Sequence, residues 1–82
     1  MNTVIFAEGT EGSASTWGIE AESSDRRRVG TIEQREDGLY VSPGGPAADL
    51  IAGIRLGPYR DLYEVMDVIA FKTGGACEKS RS

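Results

Sequence analysis

Arg26, Arg27 and Arg28 are the densest run of like charge in this chain. Guanidinium groups so spaced can grip phosphate or carboxylate oxygens through charge-assisted hydrogen bonds. Glu20, Glu22 and Asp25 precede the run and largely cancel it, so a solvated loop of mixed charge competes with a phosphate-binding reading. A fourth arginine, Arg35, lies close in sequence to Tyr40. Tyrosine and arginine are enriched where interfaces concentrate their binding energy. Arg35 and Tyr40, with Thr31 and Val29 beside them, are therefore a candidate recognition surface. The competing reading is a cross-strand pair that only packs.

Catalytic chemistry finds less to work with. The chain has one cysteine, Cys77, and no histidine to serve as its base. Asp61 and Glu64 could act as general acid and base, but three-residue spacing before an apolar run is the pattern of a helix cap. Glu33, Glu36 and Asp37 read as solvation of a hairpin. Gly44-Gly45 and Gly74-Gly75 lack the Lys-Ser/Thr ending of a phosphate loop and the three-glycine dinucleotide spacing. With no histidine and one cysteine, a metal would need carboxylates alone or a second chain. No cofactor and no catalytic residue are expected.

Each candidate needs a scaffold, and 82 residues set its scale. That is one small domain over 1–82, with little volume for a deep cleft and its supporting shell. Net charge is −4, which opposes strong non-specific binding to nucleic acid or anionic membrane. No apolar run approaches membrane-spanning length. A single cysteine forms no internal disulfide, and the amino terminus lacks a secretory pattern, so a cytoplasmic protein is expected.

Thr3 to Ala7 reads as an arm or short edge strand, and the Glu8 to Ser15 stretch as a loop, so that 1–15 is an amino-terminal appendage. From Thr16 to Glu22, Trp17, Ile19 and Ala21 alternate with polar residues and glycine, which is strand periodicity. Arg28 to Glu36 and Leu39 to Ser42 flank Asp37-Gly38, a dipeptide suited to a two-residue hairpin turn. That register sets Glu36 opposite Leu39, Gln34 opposite Val41, Ile32 opposite Pro43 and Arg35 opposite Tyr40. Ala47 to Ala52 is either one helical turn or an apolar loop on a sheet edge. Leu62, Val65, Met66, Ile69 and Ala70 make an apolar helical stripe. Asp61 caps its start and Gly74 its end. Residues 75–82 read as a flexible tail.

The expected fold is α+β: a three-stranded antiparallel meander packed against one carboxy-terminal helix. Thr3 to Ala7 or Ile54 to Leu56 offers a fourth strand. Trp17, Ile19, Ile32, Leu39 and Val41 should meet Leu62, Val65, Met66 and Ile69. The expected function is that of a small non-enzymatic interaction or accessory module whose partner is another protein or a second copy of the chain. The alternative is a nucleic-acid-binding module using Arg26–Arg28, and a small enzyme ranks below both.

Overall fold

The computed structural model describes residues 1–11, 14–22 and 25–80, with the backbone alone at 10, 11 and 14. The elements run β1 (Thr3–Glu11), β2 (Ala14–Ala21), β3 (Arg28–Arg35), β4 (Gly38–Pro43), a 3₁₀ turn (Ala48–Ile51), α1 (Leu62–Thr73) and β5 (Cys77–Lys79). All five strands join one sheet in the order β4-β3-β2-β1-β5. β1 to β4 form an antiparallel meander, and β5 lies parallel to β1. The class is α+β, a multi-stranded mixed sheet on one carboxy-terminal helix.

Alternation along each strand gives the sheet two unlike faces. On the inner face Ile5 pairs with Ile19, Trp17 with Ile32, and Ile32 with Val41. The 3₁₀ turn adds Ile51 and α1 adds Val65 and Ile69, all fully buried in the same core. Each such side chain contributes about 1.5–3 kcal/mol through removal from water. Trp17, expected among the sheet residues that meet the helix, is only half-buried and packs against this cluster from its border.

The β3–β4 hairpin differs from the expected register. Arg35 pairs with Gly38, so Glu36 and Asp37 are the turn residues. Gln34 thus faces Leu39, Ile32 faces Val41, and Glu33 rather than Arg35 faces Tyr40. A type I′ turn at Asp37-Gly38 would need positive φ at both, whereas Arg26 is the one non-glycine residue with positive φ among those described. Sliding the turn by one residue moves each pairing by two, which preserves the faces. Ile32, Leu39 and Val41 therefore still share the core side.

Val29 is a second departure, because it is fully buried rather than on the outer face. Ile19 pairs with Gly30 but Glu20 pairs with Arg28, leaving Val29 as the extra residue of a bulge. A bulge resets the alternation that follows it.

The chain ends also differ from expectation. β1 is no short edge strand but runs nine residues to Glu11, between β2 and β5. Residues 77–79, expected within the tail, form β5. There the Thr3 N–H donates to the Ala76 carbonyl at 2.8 Å and the Ser80 N–H to the Ile5 carbonyl at 2.7 Å. Residues 12–13 of the expected loop, 23–24 ahead of the arginine run and 81–82 of the tail lie outside the described residues. Ile54 to Leu56 is not a sheet strand, yet the segment it opens runs along β4. The Val41 N–H donates to the Leu56 carbonyl at 2.8 Å, and Leu39 exchanges two hydrogen bonds with Tyr59 at 2.9 and 2.8 Å.

The helix runs from Leu62 to Thr73, between the two expected caps. The Asp61 carboxylate accepts from the Glu64 N–H at 2.9 Å, and Gly74, at φ +70°, donates to the Ala70 carbonyl at 3.0 Å. Replacing Asp61 with Ala should cost about 1 kcal/mol of stability, read as a lower urea midpoint with unchanged slope. An Asp61→Asn chain should keep most of it.

Candidate interaction face

The helix and the 3₁₀ turn cover the inner face, and no helix of the described residues lies over the other side. Val4, Phe6, Gly18, Glu20, Arg28, Thr31, Glu33, Tyr40 and Ser42 project there by the observed pairings. Gly18 is the key to one half of it. Phe6 pairs with Gly18 across β1 and β2. A Cβ on Gly18 would lie 2.5 Å from the Phe6 ring and 2.8 Å from an Arg28 terminal nitrogen. The missing side chain lets the ring and the guanidinium lie down on the sheet.

Two irregularities feed that spot. The β1–β2 register shifts between Ala7 and Gly9, which sets Glu8 as the extra residue, and the bulge at Val29 turns Arg28 outward. Arg28 forms an ion pair with Glu8 and places its guanidinium 5.5 Å from the Phe6 ring centroid. The hydrogen bond to Glu8 raises the Arg28 pKa above its already high ordinary value, against a smaller opposing effect of burial.

A second cluster occupies the β4 side. Arg35 stands 4.8 Å from the Tyr40 ring centroid and donates to Glu33 at 3.0 Å. The Tyr40 hydroxyl donates to Asp37. Gly57 closes the ring's flank, since a Cβ there would lie 2.8 Å from the ring edge. Ala47 to Ile54 does not cover this face and supports the inner one through Ile51.

Hydrogen bonding to Asp37 is the main reason that the Tyr40 phenol is pushed above its ordinary pKa, with partial desolvation and the Asp37 charge adding and Arg35 opposing. Carbon-13 NMR of the phenol carbon should therefore show Tyr40 titrating above the usual value of about 10. Asp37→Asn should bring it down. The folded value is the raised one, so this contact stabilises fully below the unfolded phenol pKa. Its contribution disappears as pH rises through the folded one.

The three consecutive arginines do not form one patch. Arg28 lies on the outer face. Arg27 binds Asp25 at 2.8 Å and borders a hollow of about 390 Å³ shared with Met1, Ala21 and Leu50. Arg26, at φ +43°, borders a different hollow of about 220 Å³ with Val4, Phe6, Glu20 and Ser80. Arg35 and Tyr40 do come together as expected, although diagonally. Phe6, Glu8 and Gly18 belong to the face and were not anticipated. For Phe6 and Glu8 the signal was an apolar run followed by a glutamate, which reads equally well as an arm and a loop.

Elsewhere the candidate chemistry is quiet. Asp61 is a cap, and the Glu64 carboxylate takes Arg55 at 2.8 Å. Burial pushes the Cys77 thiol up, with Glu78 adding and the facing Thr3 hydroxyl pulling the other way. That hydroxyl is fully buried without a hydrogen-bond partner of ordinary geometry, and the sulfur opposite it is at best a weak one. Among the described residues no group of three or more His, Cys, Asp or Glu is placed to hold a metal ion. No helix of the described residues is long and apolar enough to cross a membrane. No protein-family model, curated protein or solved structure matches this chain.

Proposed function

We propose that this chain is a small cytoplasmic interaction module that acts without catalysis and docks onto another protein through the outer face of its sheet. The observation that carries this reading is the one-sidedness of the sheet. Its inner face is sealed by α1 and the 3₁₀ turn, while its outer face presents Phe6 and Tyr40, each beside an arginine. Arginine held over an aromatic ring is a preorganised contact, because less side-chain freedom is lost on binding.

Charge favours a protein partner over nucleic acid. Arg27, Arg28 and Arg35 each already face a carboxylate, at Asp25, Glu8 and Glu33. Phosphate binding draws its strength from cations that are free to displace counterions. These pairs are exposed or half-exposed and add little to stability, so they can be rearranged by a partner at low cost.

The test is affinity capture with the native chain and with Tyr40→Ala and Phe6→Ala forms whose urea midpoints show them folded. A partner held by the native chain should be lost from both variants. Equal capture by all three removes the outer face from consideration. Salt-sensitive binding of DNA or RNA, abolished by neutralising Arg26, Arg27 and Arg28, would replace this reading with the nucleic-acid one.

A further inference from the structure

The solvent side of α1 carries residues that a surface helix ordinarily avoids. Val65 and Ile69 are fully buried and Leu62 and Met66 half-buried, which fixes the inward stripe. Tyr63, Asp67 and Phe71 recur every four residues on the opposite side. Tyr63 is 67% exposed and Phe71 is 89% exposed, the highest value among the large apolar residues. Scattered apolar residues on a surface are ordinary. Two aromatics aligned one turn either side of a carboxylate are a pattern.

Asp67 gives the pattern its chemistry. It is exposed and has no ion-pair partner among the described residues. Arg60, just before the helix, leans toward Asp61 at 3.7 Å. Lys72 is one position on from Phe71, about 100° further round the helix. The aromatic faces and the free carboxylate all attract the same kind of group. A guanidinium can stack on a ring while donating two hydrogen bonds to a carboxylate, which neither an apolar surface nor an acidic one can do.

We infer that Tyr63, Asp67 and Phe71 form a second docking stripe, whose occupant is an arginine-bearing segment of a partner protein. The net charge of −4 favours approach of such a segment. This stripe is on the opposite side of the molecule from the outer sheet face, so either surface can fail while the other stands. With both in use, the domain bridges two proteins across its thickness.

The test uses the isotope-labelled full chain and an acetylated, amidated peptide of alternating alanine and arginine at low salt. A matched peptide with citrulline in place of arginine is the control. Amide shifts should centre on Tyr63, Asp67 and Phe71, and the citrulline peptide should leave them unmoved. Asp67→Asn and Phe71→Ser should each weaken binding about tenfold, while Glu33→Gln on the sheet should not change it. All three side chains point to solvent, and unchanged urea midpoints will show that the variants are folded. Shifts centred on Glu8, Glu20 and Glu33, equal binding by Asp67→Asn, or equal binding of citrulline would overturn the proposal. So would sedimentation showing a dimer that Phe71→Ser dissociates, since the occupant would then be a second copy.

Discussion

Replacing Tyr59 with Ala should remove about 3–5 kcal/mol of stability, the range for deleting a large buried aromatic. An 82-residue domain holds roughly 4–12 kcal/mol in total, so this single change should remove a quarter or more of it and unfold a domain at the low end of that range. Tyr59 is 1% exposed and is the largest of the fully buried side chains. Its backbone exchanges both hydrogen bonds with Leu39, its hydroxyl donates to the Arg55 carbonyl, and the Arg55 guanidinium stands 4.5 Å from its ring centroid. It thus ties the segment after the 3₁₀ turn to the exposed edge of β4. Tyr59→Phe keeps the ring and loses only the hydroxyl contact, which should cost about 1 kcal/mol. Urea titrations of the two variants separate packing from hydrogen bonding. A Tyr59→Ala chain within 1 kcal/mol of the parent would contradict its place in the core.

The second large effect is expected at Gly38. This residue closes the β3–β4 hairpin at φ +143°, where a side chain is strained whatever the space around it. The space is also taken, because a Cβ would lie 2.6 Å from the Tyr59 carbonyl oxygen. Gly38→Ala should cost about 2–3 kcal/mol, combining backbone strain with displacement of the Tyr59 bridge. The two sites adjoin through the Tyr59 backbone, so the double variant should depart from the sum of the two. Full additivity would show that the glycine and the tyrosine act independently.

These two positions also mark where the sequence stopped being informative. Gly38 was legible as a turn residue because asparagine or aspartate before glycine signals a hairpin. Which turn forms depends on Tyr59, twenty-one positions away, and no local pattern carries that contact. Tyr59 itself carries no local signal for this contact, since a backbone bridge leaves no mark on side-chain types. The helix was legible almost to the residue, because its apolar stripe, Asp61 and Gly74 all agree. β5 was not, since three residues of parallel pairing need no apolar alternation. The bulge at Val29 was hidden for a similar reason: it inverts the faces of Val29 and Arg28 without any composition change.

The candidate face was legible in part. Arg35 and Tyr40 were placed together by period-two alternation, which survives the slip in register. The arginine run was legible as a charge cluster but not as three diverging side chains, since a bulge and a left-handed residue separate their directions. Phe6 and Gly18 needed the β1–β2 pairing, and that pairing depends on a strand whose second half reads as a loop.

The measurement that tests the central claim most directly is amide exchange of the chain, free and bound to a captured partner, compared at Phe6, Gly18, Thr31 and Tyr40. A partner on the outer face should slow exchange or shift the amide signals at these four positions. Gly18→Ala should weaken the same complex while leaving stability nearly unchanged, because its Cβ meets the far ends of the Phe6, Arg28 and Glu8 side chains and no backbone. A partner that leaves all four positions unaltered and binds Gly18→Ala as tightly as the native chain would contradict the account.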